Sequence, residues 1–146
     1  MKHEQKIAVQ WRDIDYNQHV RHSAYFDYAA QTRIRFFQKV GFDMTRLGQA
    51  KVGPIIFHEE CTFLREIKLE DTITIVLKQG NIPENGDRWT LHHELINQHG
   101  KTVAHISVKG AWMHLDERKL TKPPQALISA LRALPQGEAF VYEKVS

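Results

Sequence analysis

Apolar and polar positions along this chain change period only a few times. Near the start, Ile7, Val9 and Trp11 alternate with polar neighbours, the period-two pattern of a strand with one buried face. From Ser23 the period lengthens, and Asp27, Gln31, Arg35 and Gln38 fall at helical spacing as a narrow polar stripe. The remaining face is wide and apolar, with Tyr25, Phe26, Ala29, Ala30, Phe36, Phe37 and Val40, so this helix is expected to be largely enclosed. Ser23 suits an N-cap and Gly41 the position just past the C-terminus, which sets the expected span at residues 24–40.

After Pro54 the pattern becomes strand, turn and strand over residues 55–67, 72–78, 88–96 and 102–115. Ile73, Ile75 and Leu77 alternate with Thr72, Thr74 and Val76, and Trp89, Leu91, His93 and Leu95 alternate with Arg88, Thr90, His92 and Glu94. The segments Pro83 to Asp87 and Asn97 to Lys101 supply Asn and Gly for tight reversals, so the strands they join are expected to pair antiparallel. A last helix follows Pro123-Pro124 and carries Ala126, Leu127, Ala130, Leu131 and Leu134. One enclosed helix followed by a meandering sheet is an α+β arrangement, solved economically by wrapping the sheet around the helix.

Composition narrows the function classes. The 146 residues suit one domain, residues 1–146, with 42% apolar and 25% charged residues as in ordinary soluble globular chains. Apolar runs such as Gly53 to Phe57 are too short to span a bilayer, and the polar start Met1 to Lys6 lacks a signal-peptide core. No membrane partner is expected, and the expected location is cytoplasmic. The single cysteine, Cys61, leaves no disulfide framework and too few thiols for a structural zinc site, so it is read as a small packing residue. A net charge of +3 without a dense run of lysine and arginine gives no nucleic-acid stripe, while a modest positive balance suits an anionic small ligand.

The chemistry concentrates in Asp13-Ile14-Asp15-Tyr16-Asn17-Gln18-His19-Val20-Arg21-His22-Ser23-Ala24-Tyr25, which sets a carboxylate a few residues ahead of a helix start. A helix N-terminus has unpaired N–H groups and a partial positive charge, so it can hold a carbonyl oxygen that is becoming negative while the carboxylate attacks or activates water. The string Asp-x-Asp-x-x-x-His-Val, then a small residue, a Tyr-Phe pair, an arginine on the same helix and a closing glycine, resembles the opening of hot-dog-fold acyl-CoA thioesterases related to 4-hydroxybenzoyl-CoA thioesterase.

That resemblance implies a hot-dog fold, an antiparallel sheet wrapped around one long central helix, and hydrolysis of an acyl-CoA thioester to a free acid and CoA. It places the catalytic carboxylate on Asp15, as nucleophile or general base, and the oxyanion donor at the backbone N–H of His22 with Ser23 nearby. Within it, His19 braces the loop or orients Asp15, Asn17 and Tyr25 join the substrate site, and Arg33 is structural, pairing with a carboxylate or backbone carbonyls. A thiolate leaves readily, since a free thiol has a pKa of about 8.5, so the reaction needs no Ser-His-Asp triad and no cofactor.

His58-Glu59-Glu60 lies on a strand, where alternation lets only one of His58 and Glu59 face the cleft; Glu59 is assigned there, and no metal site is expected. Many relatives have Asn-Asn where this chain has Arg21-His22, and acids near mid-helix where it has Ala30 and Gln31. Arg88, Lys109, Arg118 and Lys119 are candidates for the CoA phosphates. Relatives assemble as dimers or tetramers with shared clefts, so a homodimer or homotetramer is expected. The competing functions are an acyl-CoA-binding module without turnover and a hydratase or dehydratase of the same fold.

Overall fold

The computed structural model describes residues 2–141. In chain order the elements are β1 (His3–Ala8), α1 (His22–Lys39), α2 (Met44–Gln49), β2 (Val52–Phe63), β3 (Thr72–Gln79), β4 (Arg88–Ile96), β5 (Thr102–His114), β6 (Leu120–Thr121) and α3 (Gln125–Arg132). The strands form one antiparallel sheet in the order β1-β3-β4-β5-β2, with the short β6 also on β5. Both expected reversals are present. Gly86 (φ 66°) and Gly100 (φ 74°) take the left-handed conformations that these turns demand.

The inner rows of the sheet bury Ile73, Ile75, Leu77, Leu91, Leu95, Ile106 and Val108 almost completely. Against them α1 buries Ala24, Tyr25, Tyr28, Ala29, Thr32, Arg33, Phe36 and Phe37. Each large side chain so enclosed contributes about 1.5–3 kcal/mol over exposure. At Gly110 a Cβ would overlap the Ile55 carbonyl oxygen and the Trp89 ring, so only glycine fits where β2 and β4 crowd β5.

Several expectations are corrected. The first strand is His3–Ala8 and ends before Val9, because its pairing with β3 stops at Ala8 opposite Thr72. Trp11 lies in a 3-10 turn at 79% exposure instead of in the core. The long helix starts at His22 and its N-cap is Arg21, not Ser23, since the Arg21 backbone N–H is already drawn to the Asp13 carbonyl at 2.7 Å. At the other end Gly41 (φ 89°) is as expected: its N–H reaches the Gln38 carbonyl and that of Phe42 the Phe37 carbonyl, the double closure of a Schellman motif.

The enclosed face of α1 is also rotated from the expected one. Tyr28, Thr32 and Arg33 are buried, Phe26 and Ala30 are half-buried and Ile34 is 52% exposed, so one flank of the helix stays open. Helix α2, capped by the Asp43 side chain on the Arg46 N–H at 2.8 Å, and strand β6 were not expected. Strand β2 runs from Val52 to Phe63, displaced from 55–67, with a register shift between Ile56 and His58.

Candidate active site

The motif residues build a miniature hairpin ahead of α1. Ile14 and Val20 bridge antiparallel, the Asp15 N–H donates to the His19 carbonyl at 3.0 Å, and the Gln18 N–H donates to the Asp15 carbonyl at 3.0 Å. The Asp15 carboxylate takes the Asn17 N–H at 2.8 Å, an Asx turn, and Gln18 closes the tip in the left-handed region at φ 65°. One further bond docks the hairpin on the rest of the fold, from the Val20 N–H to the Ile67 carbonyl at 2.7 Å.

A cleft of about 420 Å³ opens beside it, lined by Asp15, Asn17, His19, Val20, His22 and Tyr25 from the motif, and by Phe63, Leu64, Arg65 and Glu66 from the segment leaving β2. Asp15 is partly open to solvent here, its side chain 31% exposed. The His19 ring donates from Nδ1 to the Val20 carbonyl at 3.3 Å, with the same nitrogen 4.0 Å from Asp15 Oδ1, so the imidazole braces the loop beside the carboxylate. The first-turn backbone N–H groups of His22 and Ser23 have no hydrogen-bond partner among the described residues, which leaves the helix N-terminus able to receive an acceptor.

Behind the cleft stands Tyr25, with its ring edge-on to Phe63 at 4.8 Å. Burial pushes its phenol up to about 12, reinforced by Cys61, Asp15 and Glu66 and opposed by a backbone group at Ile67, so it stays a neutral hydroxyl in the physiological range. The Cys61 thiol is likewise pushed up to about 12 by burial, consistent with a packing role.

The structure therefore brings Asp15, Asn17, His19, His22 and Tyr25 to one cleft. Ser23 and Glu59 are not in its lining. The Ser23 hydroxyl instead accepts from Arg21 Nη1 at 2.6 Å. Glu59 lies opposite Val108 on the inner side of β2, and His58 lies opposite Lys109 on the outer side; both are exposed. Arg88, Lys109, Arg118 and Lys119 are absent from the lining too, and the cleft's own arginine is Arg65. Phe63, Leu64, Arg65 and Glu66 line the cleft without belonging to the motif that marks the site in the sequence. The one signal in the sequence is their position near the end of the strand expected over residues 55–67, which in the structure stops at Phe63.

Among the described residues Arg33 makes no hydrogen bond or close ion pair with a carboxylate or backbone carbonyl, although the Glu59 charge acts on it from a distance. Its Nη1 donates to Nε2 of His93 at 3.1 Å, while His93 Nδ1 donates to the Ile106 carbonyl at 3.1 Å. Burial above all, with the Arg33 charge adding to it, pushes His93 down to about 3, so it is the neutral acceptor for a buried guanidinium. Among the described residues no cluster of three or more His, Cys, Asp or Glu side chains is arranged to hold a metal ion.

A family profile described as the thioesterase-like superfamily matches residues 9–131, the hairpin, the helix and nearly all of the sheet. The chain belongs to the thioesterase-like superfamily. Solved structures agree on the hot-dog fold. A hypothetical protein from Staphylococcus aureus, solved in complex with CoA, superimposes with a TM-score of 0.87 at 18% identity, covering 98% of this chain and 90% of that one. A Pseudomonas aeruginosa protein provisionally described as a thioesterase gives 0.78 at 25% identity over 89% and 98% of the two chains. A 1,4-dihydroxy-2-naphthoyl-CoA thioesterase from Synechocystis gives 0.81 at 14% identity over 92% and 98%. No curated protein matches the chain significantly.

Proposed function

We propose that this thioesterase-superfamily member hydrolyses an acyl-CoA thioester to a free acid and CoA, with Asp15 as the reacting carboxylate. The observation that supports this best is the single cleft that holds both the partly open Asp15 side chain and the start of α1 at His22. In this reading the thioester carbonyl oxygen faces the free N–H groups of His22 and Ser23, and Asp15 lies against the acyl carbon. As nucleophile, Asp15 attacks that carbon, the C–S bond breaks with CoA leaving as thiolate, and water then cleaves the mixed anhydride. As general base, it takes a proton from the water that attacks directly. His19 and Asn17 hold the loop, and Tyr25 with Phe63 forms the apolar wall for the acyl group.

In the same reading residues 1–146 form one domain, supported by the continuous core that joins both faces of contact between helix and sheet. The active form is a homodimer paired along β2, which ends the sheet as a twelve-residue edge with Ile56 47% and Phe57 58% exposed. Glu59 then serves a cleft across the interface and not that of its own chain. Among the described residues no helix is long and apolar enough to cross a membrane.

The test is product identity. Purified protein is incubated with short, long and aromatic acyl-CoAs, and the products are resolved by mass spectrometry. Free acid with stoichiometric CoA thiol supports the proposal. Water gained or lost with the thioester intact would make it a hydratase or dehydratase, and tight binding without product would make it a binding module.

A further inference from the structure

The first acid of the motif, Asp13, faces away from the cleft and is 5% exposed. Its carboxylate accepts the Tyr28 hydroxyl at 2.8 Å on Oδ2 and Arg21 Nη2 at 3.2 Å on Oδ1. The same two residues are tied through the backbone, Arg21 N–H to Asp13 carbonyl at 2.7 Å. The Arg21 guanidinium continues outward, with Nη1 on Ser23 Oγ at 2.6 Å and Nη2 at 3.6 Å from Asp27 Oδ2.

One buried carboxylate thus joins both legs of the hairpin to the first two turns of α1. A buried carboxylate is costly unless its lone pairs are filled, so both donors have to be in place for the loop to keep this shape. The Tyr28 phenol suits the task, because burial and the bond to Asp13 push its pKa upward and keep it a donor. Beyond this base the tip is closed by bonds among its own residues and by Gln18 in its left-handed conformation, a backbone state with a cost of its own. Asp15 sits two residues from Asp13, and His22 follows Arg21 directly, so along the chain the clamp adjoins both the reacting carboxylate and the oxyanion donor.

We propose that Asp13, Tyr28 and Arg21 are positioning residues for the thioester reaction, a buried clamp that fixes the distance from the Asp15 carboxylate to the N–H groups opening α1. This inference rests on the functional reading above. A misplacement of about 1 Å can cost about 100-fold in rate, so loosening the clamp acts on turnover more than on binding.

The test compares Tyr28→Phe, which removes one donor and keeps the ring, with Ile73→Val, a core truncation in β3 that removes none of the clamp's hydrogen bonds. For Tyr28→Phe, kcat is expected to fall about 10- to 100-fold with KM within about threefold. Ile73→Val should lose stability to a similar degree and keep its kcat. Hydrogen exchange of the Asn17, Gln18 and His19 amides should accelerate about tenfold or more in Tyr28→Phe, while the amides around Phe36 stay unchanged. A Tyr28→Phe protein with wild-type kcat, or with unaltered loop exchange, would overturn the clamp. If the wild type cleaves no acyl-CoA, the functional reading fails, and the exchange comparison still decides whether Tyr28 holds the loop.

Discussion

At the scale of residues, the two acids of one motif have been driven apart in role by two positions of sequence. Asp13 is buried and filled with donors, while Asp15 is left facing a cleft with a single backbone bond on its carboxylate. Arg33 shows the same economy, a buried cation satisfied by a neutral imidazole. Replacing His93 by Phe removes that acceptor and strands the charge, so His93→Phe is expected to cost about 2–4 kcal/mol in urea unfolding. Arg33→Met should cost less, and the double variant should be at least about 1 kcal/mol better than the sum of the two; strict additivity would mean that the pair is not coupled. The shared cleft position of Asp15, Asn17 and His19 was legible in the sequence because they lie within one short loop. The partner of Arg33 was not, because it depends on the register that sets His93 opposite Ile106. Nor was the far wall of the cleft, which arrives some forty residues later in the chain at Phe63 to Glu66.

At the scale of elements, β3, β4 and β5 were readable because period-two alternation is punctuated by Asn and Gly turns that join spatial neighbours. The placement of β2 and β1 was not readable. β2 precedes β3 in sequence yet pairs with β5 on the opposite side, and the edge position next to β3 goes to β1. That crossover leaves β2 as an open edge, and Ile34 on the half-open flank of α1 lines a cavity with Val52, Gly53 and Pro54 of that strand. Lysine on an edge strand opposes pairing with another strand. Phe57→Lys is therefore expected to shift sedimentation from dimer to monomer and to lower turnover together with it. A wild-type protein that sediments as a monomer at micromolar concentration would remove the dimer from the account.

For the whole molecule, burial has set the titration of many groups in the same sense. His3, His92, His93 and His105 are all pushed below the ordinary histidine value of 6.5, in each case chiefly by burial. Below pH 6.5 the unfolded chain takes up protons that the folded chain resists, so stability is present above that pH and lost as pH falls. Tyr25, Tyr28 and Cys61 are pushed upward, so deprotonation above about pH 9 favours the unfolded chain and stability is lost again. Urea midpoints should accordingly peak between about pH 7 and 9 and decline on both sides; a midpoint that keeps rising toward pH 5 would contradict the buried, neutral histidines. All these features support one small constellation, a carboxylate beside the exposed end of a buried helix. The most direct test of it is the rate of CoA thiol release by Asp15→Asn, a swap that keeps the shape of the side chain and removes its charge. The account predicts a folded protein at least about 100-fold slower than wild type, whereas near-normal hydrolysis by folded Asp15→Asn would contradict it.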